Sequence, residues 1–203
     1  MKRLKQNLRN HLRALMNKLY HVFPAALSAA KCDELIHRGS QLPAQNASIG
    51  FNNDHVDNSY RISTIRWFYA PENKDIVDIM MQHSIWANRE YFGFDISVGS
   101  HELQFTEYHG STGGKYDWHH DVWWENPRPH DRKLSIIIQL SHPSRYEGGE
   151  FQFRMPHDPT ALASFKERGS ILVFPSFFEH RVTPLTSGTR YSLVSWIDGP
   201  KFR

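Results

Sequence analysis

Two short segments of this sequence carry the residue types from which protein metal sites are built. His119 and Asp121 lie in the first segment, separated by one residue, and His180 lies in the second. Side chains alternate along an extended strand, so His119 and Asp121 point to the same face. Two imidazoles and one carboxylate occupy one face of an octahedral metal and leave its other positions open. The three residues therefore predict a metal site with room for further ligands.

Two neighbours of this pair are also metal-binding residue types. Asp117 has the same parity along the strand as His119 and Asp121, so it is an alternative carboxylate ligand. His120 has the opposite parity, and we interpret it as a residue that supports the metal ligands from behind or as a structural residue.

A carboxylate anchor is predicted downstream of the metal ligands. The guanidinium of Arg190 is a planar, permanently charged fork that matches the geometry of a carboxylate. Ser192 shares its strand face and adds a hydroxyl donor. The surrounding residues are apolar, and a charge buried among them needs a partner. These apolar neighbours are Val182, Leu185, Tyr191 and Leu193.

In this order, the His119-x-Asp121 pair, His180 and the Arg190-x-Ser192 pair resemble the Fe(II)- and 2-oxoglutarate-dependent dioxygenases. Within that superfamily the chain is most similar to the prolyl-4-hydroxylase-like branch. The resemblance extends over roughly residues 100–198. Further similar positions are Tyr108, Tyr116, the segment 147–151 and the segment 174–176.

The resemblance implies hydroxylation of a C–H bond, with a prolyl residue of a peptide or protein as the expected substrate. It implies Fe(II), 2-oxoglutarate as co-substrate and O2, with ascorbate as a further candidate cofactor. The implied catalytic residues are the metal ligands His119, Asp121 and His180, together with Arg190. The residues implied to bind 2-oxoglutarate are Tyr108, Tyr116, Arg190 and Ser192.

Other functions stay open at this point. The chain could be a non-catalytic jelly-roll protein that binds metal, a jelly-roll metalloenzyme without 2-oxoglutarate, or a dioxygenase acting on a free amino acid or a nucleobase. A non-catalytic protein needs no carboxylate anchor, so Arg190 argues against the first of these. Aromatic side chains suit proline rings and nucleobases equally. Trp118, Trp123 and Trp124 are therefore candidates for the substrate entrance, and simple packing explains them as well.

Length and composition bound the class of protein. The 203 residues fit a single domain over 1–203, and the formal charge of +3 is too mild to indicate a dedicated nucleic-acid partner, although it leaves one open. The single cysteine, Cys32, is typical of a reducing compartment, so we expect a cytoplasmic location. The chain contains no apolar run of about eighteen residues, so we expect no membrane-spanning helix. The oligomeric state stays open.

The first part of the chain, over 1–95, reads as helical support with N-terminal strands. A basic amphipathic helix over 2–19 is expected to pack on the domain, with an acidic partner or a membrane surface as the alternative. A polar loop over 40–59 is a candidate cover for the active site. The other expected elements are a helix over 29–37 stopped by Gly39, a strand over 62–69, a helix over about 73–90 and a strand after Gly93–Ile96.

Over 100–198 the pattern changes to many short strands separated by turns, which is typical of a sandwich or barrel. With the family resemblance, the predicted fold class is α+β, with a double-stranded β-helix (jelly roll) core flanked by N-terminal helices. The expected strands cover residues 103–108, 116–121, 134–140, 150–154, 171–174 and 190–196.

Overall fold

The structure, a computed structural model, describes residues 19–49, 55–97, 102–155 and 162–203. The helix expected over 2–19 therefore lies almost entirely outside the described residues. Two α-helices are present in the described part: α1 (Ala29–Ser40) and α2 (Lys74–Ala87). The first six strands are β1 (His21–Phe23), β2 (Gln45–Asn46), β3 (Arg61–Ile62), β4 (Thr64–Tyr69), β5 (Glu102–His109) and β6 (Lys115–His119). The next six are β7 (His130–Gln139), β8 (Tyr146–Gly148), β9 (Phe151–Phe153), β10 (Ile171–Pro175), β11 (His180–Val182) and β12 (Leu185–Pro200).

The strands form two antiparallel sheets that enclose a common interior. The major sheet has the order β1-β10-β7-β12-β5-β4-β2, with β8 paired to β12, and the minor sheet has the order β3-β6-β11-β9. Apolar residues of both sheets meet in one cluster, in which Phe151 and Val182 of the minor sheet join Ile137 and Phe174 of the major sheet. This arrangement is a jelly roll, so the predicted fold class is confirmed.

The long central strand β7 is buried on both faces because both faces of the major sheet are covered. Ile136 and Ile138 are fully buried in the cluster that contains the helix residues Leu35 and Met80. Ile137, between them, belongs to the cluster on the opposite face. Helices α1 and α2 thus pack on the outside of the major sheet, and the minor sheet covers its inside.

Helix α1 begins where the sequence predicts but extends further. The Ser28 hydroxyl accepts a hydrogen bond from the Lys31 N–H at 3.2 Å, which is an N-cap. The expected stop at Gly39 is wrong, because the helix continues to Ser40. Gly39 is buried, and a Cβ there would lie 2.7 Å from the ring of Phe105. This glycine therefore allows close packing on the sheet and does not end the helix.

Of the two strands expected beside α2, one differs from the structure and the other lies largely outside the described residues. The strand expected over 62–69 is divided, because β3 pairs with β6 in the minor sheet and β4 pairs with β5 in the major sheet. The strand expected after Gly93–Ile96 falls almost entirely on residues 98–101, which lie outside the described residues. Before it, the Asn88 side chain bonds both the N–H and the carbonyl of Phe94 at 2.9 Å.

Helix α2 itself is regular over 74–87 and continues as a π-helical turn over Asn88–Phe92. Gly93 follows with a positive φ of 68°, the left-handed conformation that commonly ends a helix. Within the described ranges, no helix is both long enough and apolar enough to cross a membrane.

Candidate active site

The three predicted metal ligands lie together at one point of the interior. One ligand atom from each of His119, Asp121 and His180 lies within 4.8 Å of the others. His119 ends β6 and His180 begins β11, and the two residues pair directly across the minor sheet. The strand expected over 116–121 is too long, because β6 ends at His119 and Asp121 follows in a loop. The Asp121 N–H donates to the Ser176 carbonyl at 2.8 Å, which fixes this loop.

Both imidazole rings are oriented by the backbone. Nδ1 of His119 lies 2.7 Å from the Asp117 carbonyl, and Nδ1 of His180 lies 2.8 Å from the Phe178 carbonyl. These contacts assign the Nδ1–H tautomer, so that each Nε2 faces Asp121, at 3.9 and 3.7 Å. Burial lowers the pKa of both rings. Neutral imidazoles with free Nε2 lone pairs are the form that binds a metal.

The Asp121 carboxyl is held in its charged form. Burial by itself raises the pKa of Asp121, but the nearby His180 and His119, Arg132 and the Ser135 hydroxyl lower this pKa to about 2. The Ser135 hydroxyl donates to Oδ2 of Asp121 at 2.5 Å. A charged carboxylate beside two neutral imidazoles is a donor set that fits Fe(II).

Asp117 and His120, the two neighbouring residues of metal-binding type, do not belong to this cluster of ligands. Asp117 uses its Oδ1 to accept a hydrogen bond from the Trp118 N–H at 2.7 Å, and it is not among the three clustered ligands. His120 is exposed, and its ring lies 6.1 Å from that of Trp124 at the mouth of the cavity.

Arg190 is buried, with 2% of its surface exposed, in the same cavity as the triad. Its guanidinium carbon lies 5.7 Å from the ring of Tyr108, the residue opposite it on β5. The guanidinium has no hydrogen bond or ion pair with any residue in the part of the chain that the structure describes. A buried cation in this state needs an anionic partner, which a dicarboxylate co-substrate supplies.

The other predicted co-substrate residues also line this cavity, whose volume is about 440 Å³. Ser192 is 2% exposed and shares the face of Arg190. Burial raises the pKa of Tyr108, so its phenol keeps the proton that it can donate. Tyr116 stacks on His119 with 3.5 Å between ring centroids. The guanidinium carbon of Arg61, on β3, lies 4.3 Å from the centroid of the Tyr116 ring. Tyr116 therefore packs on a metal ligand, and its contact with 2-oxoglutarate stays a prediction.

Arg132 and Trp196 are two of the polar residues of the cavity that sequence reasoning missed. The Arg132 guanidinium lies 3.8 Å from the Trp196 ring centroid, and neither it nor the buried Nε1 of Trp196 has a hydrogen-bond partner among the described residues. Trp196 shares the strand parity of Arg190, so the signal was present. Arg132 could not be placed by parity, because the ladder between β7 and β12 shifts register beside Asp198. Alternation counted back from Leu134 therefore places Arg132 on the outer face of the sheet, whereas Arg132 lines the cavity.

The predicted substrate entrance is partly wrong. Trp118 does not line the cavity and lies beneath the guanidinium groups of Arg154 and Arg181. Trp123 does line the cavity and is 40% exposed, whereas Trp124 contacts Phe202 beside it.

The polar loop expected over 40–59 contributes to the wall of the cavity. The lining residues from this loop are Gln45, Ser48 and Ile49. Residues 50–54 lie outside the described part, and a lid role for the loop stays a prediction.

Comparison with known proteins relates just under half of the chain to one superfamily. Residues 103–198 match the model of the 2OG-Fe(II) oxygenase superfamily. A PKHD-type hydroxylase of Rippkaea orientalis is 34% identical over 116 residues, which are 57% of this chain and 43% of the relative. A PKHD-type hydroxylase of Synechococcus sp. (strain CC9902) is 39% identical over 92 residues, which are 42% of this chain and 37% of the relative. The chain thus spans less than half of the length of these curated relatives.

Solved structures with the same fold cover nearly the whole chain. The viral collagen prolyl hydroxylase of Paramecium Bursaria Chlorella virus-1, in its 2OG complex, has a TM-score of 0.65 at 19% identity, covering 89% of this chain and 96% of its own. A prolyl hydroxylase of Trichoplax adhaerens, in complex with a hypoxia inducible factor peptide fragment, has a TM-score of 0.66 at 18% identity, with coverages of 97% and 92%. Residues 103–198, just under half of the chain, are thus similar to the 2OG-Fe(II) oxygenase superfamily, and the fold of the chain is that of the prolyl hydroxylase structures.

Proposed function

We propose that this chain is an Fe(II)- and 2-oxoglutarate-dependent dioxygenase that hydroxylates a prolyl residue of a peptide or protein. One observation carries the proposal: the buried guanidinium of Arg190 has no partner among the described residues and lies in the same cavity as a preformed His-Asp-His triad. A metal-binding protein without a co-substrate has no use for such a charge, and burying it without a partner is unfavourable.

The residues have separate tasks in this function. His119, Asp121 and His180 hold the metal, whose open positions are then available to exogenous ligands. When bound, Fe(II) with 2-oxoglutarate and O2 supplies the oxidising power for C–H hydroxylation, while 2-oxoglutarate becomes succinate and CO2. Arg190 binds the carboxylate of 2-oxoglutarate that is distant from the metal, which sets the length of the co-substrate that fits.

The buried lining of the cavity keeps water from the reacting groups. Phe151, Val182 and Ile137 are buried, and all three line the cavity. Tyr108 and Ser192 line the same cavity as Arg190 and provide neutral hydroxyl donors. This placement supports a co-substrate orientation in which one end is polar and enclosed.

Two features support a peptidyl substrate. Arg132 and the Nε1 of Trp196 are donors without partners among the described residues, so together they suit a carbonyl oxygen of a bound peptide. The exposed aromatic rings of Trp123 and Tyr69 line the same cavity and suit the apolar ring of a proline. The related Trichoplax adhaerens enzyme was solved with a peptide fragment. A cytoplasmic location and a use of ascorbate stay predictions.

Anaerobic titration of the chain with Fe(II) and 2-oxoglutarate tests the cofactor chemistry. We expect a visible charge-transfer band of the chelate in the unaltered chain. His180→Ala should remove the band, and Arg190→Ala should raise the 2-oxoglutarate concentration needed for it by roughly tenfold to a hundredfold, the value of a charge-assisted hydrogen-bonded pair. Arg89→Ala, an exposed arginine on the outside, is the control and should change nothing. Iron binding without any band would contradict the proposal.

Substrate class requires a second assay. Succinate formation should be stimulated by proline-containing peptides and not by free proline or by a methylated oligonucleotide. Stimulation by either of the latter would support an amino acid or a nucleobase as the substrate instead.

A further inference from the structure

A β-bulge lies directly beside the first metal ligand. In the ladder between β6 and β11, His119 pairs with His180 and Tyr116 pairs with Val182. Two residues of β6, Asp117 and Trp118, therefore lie opposite one residue of β11. An extra residue in one strand is the definition of a bulge, and bulges beside active sites commonly re-aim a side chain.

The bulge is what allows Tyr116 and His119 to face the same side. They are three positions apart, so in an unbroken strand they would point to opposite faces of the sheet. In the structure both line the cavity, and their rings stack at 3.5 Å. Loss of the bulge would slip the register by one residue and turn one of the two rings out of the site.

The bulge also supplies the acceptor that orients His119. The carbonyl that bonds Nδ1 of His119 at 2.7 Å belongs to Asp117, the first residue of the bulge. The same residue donates its N–H to the Tyr60 carbonyl at 2.9 Å. Groups that hold the second nitrogen of a ligand imidazole typically influence metal affinity by 10–100-fold. The position of this one carbonyl therefore matters for the metal.

The outer face of the minor sheet holds the bulge in place around Trp118. The guanidinium carbons of Arg181 and Arg154 lie 4.6 and 4.9 Å from the centroid of its ring. Tyr60 donates its hydroxyl to the Trp118 carbonyl at 2.6 Å.

The two arginines are themselves fixed. Arg154 bonds both carboxylate oxygens of Glu179 at 3.0 Å, and Arg181 bonds Oε1 of Gln152 at 2.9 Å. Side chains from β6, β9 and β11 are thus joined across the indole on the face opposite to the metal ligands.

We propose that Trp118, held by Arg154, Arg181 and Tyr60, is a positioning residue for the metal site: it holds the bulge so that the Asp117 carbonyl orients His119. The inference rests on the metal site of the proposed function and assigns a role to residues that do not touch the cavity. It explains why an aromatic ring next to a metal ligand points away from the substrate.

Titration of the metal-free chain with Co(II) tests the inference without turnover, because the Co(II) absorption spectrum reports ligand geometry. We expect Trp118→Leu to weaken Co(II) binding by roughly 10–100-fold and to alter that spectrum. Trp118→Phe keeps an aromatic face for the arginines and should restore most of the affinity. Trp86→Leu removes a tryptophan from α2 that does not line the cavity, and it should leave Co(II) binding unchanged.

Tyr60→Phe is the variant to use if Trp118→Leu does not fold, since it deletes a single hydroxyl. We expect Co(II) affinity to fall by about fivefold, the value of one hydrogen bond. Unchanged affinity and an unchanged spectrum in the folded variants, even with a lower melting temperature, would overturn the inference and show a purely structural role. An unaltered chain that binds no Co(II) would contradict the metal site of the proposed function itself, and the inference with it.

Discussion

The hydroxyl of Ser135 connects the loop ligand of the metal site to the major sheet. Ser135 is fully buried on β7, donates to Oδ2 of Asp121 at 2.5 Å and lies 2.9 Å from the hydroxyl of Ser176. Asp121 is the only one of the three clustered ligands among the described residues that lies outside a strand. Its carboxylate therefore depends on this hydrogen bond for a fixed direction.

Replacing Ser135 by Ala should weaken metal binding by roughly tenfold, because the Asp121 carboxylate loses its orienting donor. Calorimetric titration of the metal-free chain with Mn(II) measures the change. Ser195→Ala removes another buried serine, from the neighbouring strand β12, whose hydroxyl contacts the Glu102 carbonyl. An equal loss in both variants would mean that any buried hydroxyl matters and would refute a specific role for Ser135.

At the scale of residues, the type of site could be predicted from the sequence, whereas the sheet face to which each side chain points could not. The identities and order of His119, Asp121, His180 and Arg190 restrict the possible sites, since few combinations of these types serve one metal and one carboxylate. Direction along a strand was inferred from alternation, and alternation fails at a bulge. The missed Arg132 lies beside such a register shift. Trp118 was a candidate for the entrance because of its aromatic type, although its parity is opposite to that of His119.

Helix α1 illustrates at the scale of elements why a residue type can be interpreted wrongly. Glycine ends many helices because it adopts a left-handed conformation at low cost. Gly39 instead lies inside the helix, where it brings α1 close to the ring of Phe105 on β5. The reason for this glycine lies in a partner more than sixty residues away, which local pattern does not reveal.

Gly39→Ala should destabilise the protein by about 1–3 kcal/mol, because the added methyl group would lie 2.7 Å from the Phe105 ring and force repacking. The better helix propensity of Ala, about 1 kcal/mol, offsets part of this cost. Urea unfolding gives the difference in free energy. His37→Ala, on the exposed face of the same helix, is the control. A stabilised Gly39→Ala variant would show that the helix can move away from the sheet.

Long strands were predictable, and so was the three-residue β9 within the strand expected over 150–154, but several other very short strands were not. A strand was expected over 134–140 because apolar residues recur at every second position, and β7 is ten residues long, enough for this period to appear. Strands β1, β2 and β11 have three residues or fewer, too short for any period to appear. Each of these strands forms because it pairs with a strand that is distant in sequence. For example, β11 pairs with β6, and His180 lies opposite His119.

The whole molecule divides the candidate site between its two sheets. His119 and His180 belong to the minor sheet, whereas Arg190 belongs to the major sheet. The cavity lies between the sheets, and both contribute to its lining. A co-substrate bound to the metal at one end and to Arg190 at the other would therefore connect the two sheets.

This connection predicts coupled stabilisation. Mn(II) alone should raise the melting temperature, because it binds the folded state only. 2-Oxoglutarate alone should add little, since one of its two attachments is missing. With Mn(II) present, 2-oxoglutarate at about a hundred times its dissociation constant should add about 2.7 kcal/mol, which corresponds to roughly 5–10 °C for a chain of this size. Thermal unfolding with each ligand alone and with both measures the coupling.

Arg190→Ala should keep the rise in melting temperature caused by Mn(II) and lose the further rise caused by 2-oxoglutarate. If 2-oxoglutarate raised the melting temperature equally without Mn(II), it would bind independently of the metal, and the two sheets would not be joined through it.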